Sequence, residues 1–263
     1  MIAHVLLKHI EETPRMPIKT CISMVHSKYG KIISKRKGFL GRRRAFEMIF
    51  GTWESSFRAL PGYIAALKHA NPGTVVQWRL LEGRIFDFVF WAFKPSIDGF
   101  AHCRNVISID GTHVYDRYDI KLLIAVGMDA NGSIFPLAFA IAANETWGMF
   151  LTHLKTHVIK GRQGICVLSD RHKGILHNMC TLEGWQPPHA YHRYSLKHLK
   201  ANFQTKFGNG TVNKLMWGVA MQHQQRKWAT KMELLREVSE EAYVWLMKLE
   251  VEKWTLYANG GRR

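Results

Sequence analysis

Apolar positions along the chain fall into two textures. Over roughly the first hundred residues they recur at helical spacings. Ala45, Ile49, Phe50, Trp53, Phe57 and Leu60 predict one helix broken at Pro61-Gly62, and Tyr63–His69 predicts a second, short one ending near Asn71-Pro72-Gly73. From Val106 the texture changes to short β-rich runs. Val106–Asp110 (VISID) and Lys121–Asp129 (KLLIAVGMD) predict strands, the second closed by Asn131-Gly132, a strong hairpin signal. Ile134–Ala142 (IFPLAFAIA) answers as a third strand, with Pro136 suited to a strand start or a bulge rather than a central ladder position. Trp147, Phe150, Leu151, Leu154 and Val158 then space out a helix over Glu145–Ile159. Gly164–Leu168 (GICVL) is an apolar strand running into Ser169-Asp170, and a helix follows from about His172 to Cys180. Beyond Pro187-Pro188, His189–Tyr194 reads as a fifth strand. From Leu196 to Tyr257 the pattern is helical again, without a strand signal.

The order strand, strand, strand, helix, strand, helix, strand predicts an α/β chain. The early hairpins imply antiparallel pairing and the later alternation parallel pairing, hence a mixed sheet. Three regions follow: 1–100, mostly helical; 101–198, the sheet-bearing core; and 199–263, a helical layer or insertion.

At 263 residues the chain is long enough to bury a sizeable core, and its 47% hydrophobic content is that of a folded protein. Lys and Arg number 37 against 20 Asp and Glu, a net charge of +17, which favours a polyanionic partner because each neutralised phosphate releases counterions. Lys35-Arg36-Lys37 and Arg42-Arg43-Arg44 concentrate that charge. They read equally as a nuclear-import signal, a phosphate-contacting helix start or a merely solvated helix face. Cys21, Cys103, Cys166 and Cys180 lack zinc-ligand spacing, and Cys166, in an apolar run, reads as a buried reduced thiol of an intracellular protein. His4, Lys8 and His9 interrupt the apolar stretch at the N-terminus, so no signal peptide is expected. No run of 18 apolar residues predicts a membrane span.

The informative chemistry is a pair of aspartates. Asp110 and Asp170 each close an apolar strand, and in a sheet whose first and fourth strands are neighbours they converge at one edge. Phosphoryl transfer uses such a pair, because hard Mg²⁺ ions select carboxylate oxygens and clamp the attacking and leaving oxygens. Aspartates also end strands simply as turn formers. Glu233, Glu237 and Glu241, at i, i+4, i+8, read as a solvated stripe facing Lys231, Arg236 and Lys248 rather than as metal ligands. His189, His192 and His198 lack a cysteine or carboxylate partner at zinc spacing. No nucleophile elbow, P-loop or dinucleotide fingerprint is present.

Four motifs carry a family resemblance. Ser108-Ile109-Asp110-Gly111-Thr112-His113 resembles the DGTH motif of Mutator-like (MULE) transposases, and Ile134–Ile141 their FPLAFAI strand, followed by Trp147 and Phe150 on a helix. Leu168–Ile175 resembles SDRHKGI, and Pro187–Tyr194 the AYHRYC segment. The order and the intervening elements match over about residues 40–260. The resemblance implies a ribonuclease-H-like, mixed five-stranded sheet with flanking helices. It also implies a DDE active site using Mg²⁺ (or Mn²⁺), DNA as partner (transposon ends and target), a plant nuclear setting and no membrane, and it is compatible with a homo-oligomer.

By the same resemblance, Asp110 and Asp170 are the first two metal-binding catalytic carboxylates. Gly111 allows close backbone packing, Thr112 and His113 make substrate or supporting contacts, and Arg171, His172 and Lys173 sit at a helix start near the scissile phosphate, although a plain basic helix cap is the alternative. His192 belongs to the same DNA-facing or supporting set. Ser195 and His198 occupy positions where the family carries Cys (or Asp), two residues, then His, so any role tied to sulfur is lost with Ser195. Residues 114–121 depart from the glycine- and lysine-rich stretch expected after DGTH. The third carboxylate, a Glu in a TSNxxES-like motif, is expected beyond Glu252–Tyr257 and is not in the sequence, so a chain truncated at both ends with incomplete or no strand-cleavage activity is expected. The alternative is a domesticated DNA-binding or transcriptional regulatory protein without catalysis.

Overall fold

Glycine and threonine, not proline, divide the first helices. In the computed structural model, which describes residues 1–114, 120–143, 146–208 and 210–261, the N-terminal unit Met1–His69 holds α1 (Ile2–Glu12), α2 (Ile18–Tyr29), α3 (Lys35–Phe50) and most of α4 (Trp53–Ala70). The expected break at Pro61-Gly62 is corrected: Pro61 lies inside α4, and the break falls at Gly51-Thr52. Gly51 takes φ +85°, which glycine adopts without strain. The Thr52 hydroxyl accepts from the Ser55 amide at 3.1 Å, the arrangement of a helix N-cap. Leu6, Ile10, Met16, Cys21 and Ala45 form the small core of this unit.

The second unit, Ala70–Arg263, is built on one sheet. Its strands are β1 (Val75–Leu81), β2 (Ile85–Ala92), β3 (Val106–Val114), β4 (Ile120–Met128), β5 (Ile134–Ala142), β6 (Ile165–Ser169) and β7 (Ala190–Tyr194), in the order β1-β2-β5-β4-β3-β6-β7. Strands β3 to β7 are the five expected, antiparallel across β3, β4 and β5 and parallel across β3, β6 and β7. The hairpin β1–β2 is a correction: these residues were expected in a helical region, and the sheet has seven strands. Glu82 (φ +49°) and Gly83 (φ +72°) both take positive φ, and the Arg84 amide donates to Leu81 O at 3.1 Å. With Leu81 paired to Ile85, the hairpin loop is the three residues Glu82, Gly83 and Arg84. Asp87, fully buried on β2, is ion-paired with Arg79 of β1.

Pro136 sits at the predicted bulge. Ala125 pairs with Ala138 but Val126 pairs with Pro136, so Leu137 is the extra residue, and both Leu137 and Ala138 enter the core. β5 pairs with β2 only over residues 139–142, so Pro136 faces no β2 partner for its missing N–H. The turn between β4 and β5 is held by Asp129, whose carboxylate accepts from Ser133 N at 2.7 Å, with Gly132 at φ +86°.

One sheet face packs under α6 (Trp147–Leu154), a π turn over Lys155–Ile159, and α7 (Lys173–Thr181), after α5 (Lys94–Gly99) and a short 3-10 turn have led into β3. Phe88, Phe90, Ile107, Ile109, Leu123 and Phe150 lie at the centre of that core. The helix expected from Glu145 begins at Trp147; residues 144–145, like 115–119 of the departing stretch after DGTH, lie outside the described residues. The C-terminal layer is helical as expected: α8 (Leu196–Phe207), α9 (Thr211–Ala220), α10 (Gln225–Val238), α11 (Glu240–Met247) and α12 (Val251–Trp254) surround Phe203, Met216, Leu235, Leu246 and Trp254. Leu176 packs against this second core while Ile175 and Met179 of the same helix belong to the first, so α7 serves both. The acidic stripe is also corrected. Ser239 ends α10 and caps α11, so Glu241 leaves the helix face of Glu233 and pairs with Lys206 at 3.1 Å, while Glu233 meets Arg236 at 3.6 Å. Cys21, Cys103 and Cys166 are buried free thiols and Cys180 is exposed. Among the described residues, no helix is long and apolar enough to cross a membrane.

Candidate active site

The parallel register of β3 on β6 pairs Ser108 with Leu168. Asp110 lies two residues beyond Ser108 on β3, and Asp170 two residues beyond Leu168 and one past the end of β6, so both follow the paired segment at the same end of these strands. Asp110 does not end its strand, as the VISID run suggested. β3 continues to Val114, and from Asp110 to His113 its residues are exposed while still paired with β4. The Asp110 side chain is 60% exposed, with Oδ1 accepting from the Gly111 amide at 2.9 Å and Oδ2 lying 3.9 Å from His198 Nε2 of α8. Asp170 stands just after β6, and its Oδ1 accepts from the His172 amide at 3.0 Å. That bond fixes the turn from strand into α7, and His172 in turn caps α7 by accepting the Gly174 amide on Nδ1 at 3.2 Å.

Two glycines let an indole lie beneath this pair. A Cβ on Gly111 would come 3.0 Å from the Trp147 ring, and a Cβ on Gly174 would come equally close to it. Trp147 is 5% exposed and packs edge-on to Phe150, with His172 at 6.3 Å between ring centroids. Gly111 follows Asp110 and Gly174 opens α7, so the one side chain supports the backbone on both sides of the site.

A second support reaches Asp170 from β7. The Ser169 hydroxyl donates to Asp170 O at 2.7 Å, which leaves Ser169 Oγ to accept from His192 Nε2 at 2.8 Å. His192 is buried beside Lys253 and Arg193, and burial above all, then those two charges, pull its pKa down to about 4. It is therefore neutral at physiological pH, and it touches the site through Ser169 rather than through solvent. The Ser195 amide donates to Ser169 O at 2.7 Å and ties the start of α8 to the same strand end.

The remaining expected residues divide. Thr112 and His113 lie exposed along β3 past Asp110, and Lys173 is exposed on the first residue of α7. Arg171 turns the other way, its guanidinium stacked over Trp245 of α11 at 4.8 Å, with Nε buried and no hydrogen-bond partner among the described residues. Trp147 as a floor and Trp245 as a cover for Arg171 were not anticipated. The first had a local signal in the two glycines of the motifs; the second, 74 positions from Arg171 in the sequence, had none.

The donor set suits a hard cation in part. Asp110 and Asp170 each give Oδ1 to a backbone amide, and Asp110 Oδ2 lies 3.9 Å from His198 Nε2; Mg²⁺ is commonly held by one or two carboxylates, with water and phosphate completing its shell. No group of three or more His, Cys, Asp or Glu suited to a metal occurs among the described residues.

A seven-stranded mixed sheet with flanking helices is an α/β fold, compatible with that of a transposase. Residues 106–202, from the start of β3 into α8, match the family model described as the MULE transposase domain, so this segment is similar to Mutator-like transposases. No curated protein matches the chain.

Proposed function

We propose that this transposase-related chain cuts and joins DNA at Asp110 and Asp170, by in-line attack of water and then of a 3′-hydroxyl on a phosphodiester. The observation that supports the reading is the parallel β3–β6 register, after which both aspartates follow at the same strand ends, within the segment that matches the family model. Their Oδ2 atoms would hold Mg²⁺ (or Mn²⁺), which when bound lowers the pKa of the nucleophile and neutralises developing charge. The protein's own part is positional. Ser169 and His192 hold the Asp170 turn, Trp147 supports the backbone beside both carboxylates, and Thr112, His113 and Lys173 line the exposed approach. A DNA-directed role sets its work in the nucleus.

A second reading, DNA binding without cleavage, is favoured by the absence of a three-member metal cluster among the described residues. Nicking of supercoiled DNA in Mg²⁺ separates the two. Under the first reading wild type nicks, and Asp110→Ala or Asp170→Ala lowers the rate by more than the ~10–100-fold typical of losing an outer-shell group. A wild type that binds DNA but nicks no faster than either variant establishes the second.

A further inference from the structure

Arg193 carries a charge that the fold does not neutralise. It stands on β7, the outer strand of the sheet, yet it is only 8% exposed, and α12 packs along that strand. A buried guanidinium is ordinarily paired with a carboxylate, because an unmatched charge away from water is costly. Arg193 has no ion-pair partner among the described residues. Its Nη1 donates to His192 O at 3.2 Å and its Nη2 to Asn259 O at 3.3 Å, while the buried Nε has no acceptor. Two main-chain carbonyls thus fix the group in place and leave its charge unmatched.

The same residue lines a hollow of about 540 Å³ between the end of α7, the segment leading into β7, and the chain around α12. That volume is in the range of small-molecule sites. Trp185, 2% exposed, is another wall, and its indole N–H also lacks an acceptor among the described residues. Met179, Pro187 and Tyr191 add apolar surface. Three more charges border the space. Lys253 and Glu250 pair at 2.6 Å and offset each other, and Glu252 is exposed. Burial first, then Lys253 and Arg193, lower the pKa of His192 in the same wall, which marks a positive local field.

We propose that this hollow binds a small organic acid, with its carboxylate on Arg193 and the Trp185 N–H and its apolar body against Met179, Pro187 and Tyr191. The planar fork of a guanidinium matches a carboxylate in shape and charge. Because the group is already held by two carbonyls, little ordering is left to be done on binding. One negative charge supplies what Arg193 lacks. A phosphate dianion brings a second charge that has only Glu250 and Glu252 to face. The inference uses neither Asp110 nor Asp170, so it stands or falls apart from the cutting of DNA.

Cys180 gives the readout, being an exposed thiol in the same wall while Cys21, Cys103 and Cys166 are buried. The rate at which iodoacetamide alkylates Cys180 in the full chain is followed by mass spectrometry while benzoate is titrated. Benzamide serves as the uncharged counterpart, and inorganic phosphate as a third arm. In wild type, benzoate is expected to give half-protection at ~1–10 mM, the scale of a ligand this small. Benzamide is expected to protect at least ~10-fold more weakly, since charge-assisted hydrogen bonds are the stronger ones. Arg193→Met is expected to weaken benzoate protection at least ~10-fold and to fold, because it removes an unmatched buried charge. Glu252→Gln, at an exposed position, is expected to strengthen protection by up to ~5-fold, the scale of one exposed charge pair. Equal protection by benzoate and benzamide, none by benzoate in wild type, or an unchanged effect in Arg193→Met overturns the proposal. Phosphate protecting better than benzoate overturns it as well, by assigning the hollow to a phosphoryl group. Should Arg193→Met fail to fold, the contrast of benzoate with benzamide and the direction of the Glu252→Gln effect decide.

Discussion

Replacing Trp147 by alanine is expected to destabilise the sheet-bearing unit by about 3–5 kcal/mol, the range for deleting a large buried aromatic. The side chain is 5% exposed, and its neighbours have little freedom to fill the space. Gly111 and Gly174 have no side chains to swing in, and Phe150 is held in the core with Leu151 and Leu154. Urea denaturation should show a lower midpoint at an unchanged slope. Trp147→Phe should recover part of the loss, because a smaller ring still spans the two glycines. A cost under about 1 kcal/mol for the alanine variant would show that the indole is not the floor described here. Since the same ring backs both Gly111 and Gly174, any nicking activity should fall further than the lost stability accounts for.

Acid is expected to unfold the protein through His192. The folded state holds this imidazole to a pKa of about 4, against an ordinary value of 6.5. Between those values the unfolded chain binds a proton that the folded chain refuses, so stability is complete above about pH 6.5 and is lost as the pH falls toward 4. The difference corresponds to about 3 kcal/mol at the acid end of that window. His153 and His157, stacked on one another 5.7 Å apart, are also shifted down, both mainly by burial, and add to the loss in the same direction. His192→Gln keeps a donor for Ser169 without a titrating ring. Unfolding free energies measured from pH 4 to 7 should rise less steeply in this variant than in wild type. Parallel curves would remove His192 from the explanation.

The parts of the fold that were legible in sequence are those whose signals are local. VISID, the Asn131-Gly132 turn, Pro136 at its bulge and the apolar run into Asp170 each state their geometry within ten residues, and strands β3 to β7 follow. The hairpin β1–β2 was hidden for two reasons. Its loop is Glu82-Gly83-Arg84, with weaker turn preference than Asn-Gly, and β2 is buried on both sides from Asp87 to Phe90, so it lacks the alternation that marks a strand with one wet face. The helix boundary was misplaced because Pro61 is a strong breaker in isolation, yet α4 runs through it. At the site, the motif residues Asp110, Gly111, Asp170 and His172 could be read because each acts on its immediate neighbours. The approach of His198 to Asp110 spans 88 positions, and the stack of Arg171 on Trp245 joins a strand end to a helical layer. No spacing rule along the chain encodes either contact.

The added hairpin also changes where the sheet ends. With β2 laid along β5, the strand that would otherwise border solvent becomes interior, and β1 takes over as the outer margin on that side. At the opposite margin β7 is already accompanied by α12. The outer strand β1 exposes Leu80 and Leu81 at the other margin, while the charge of Arg79 is taken up by the buried Asp87 of β2.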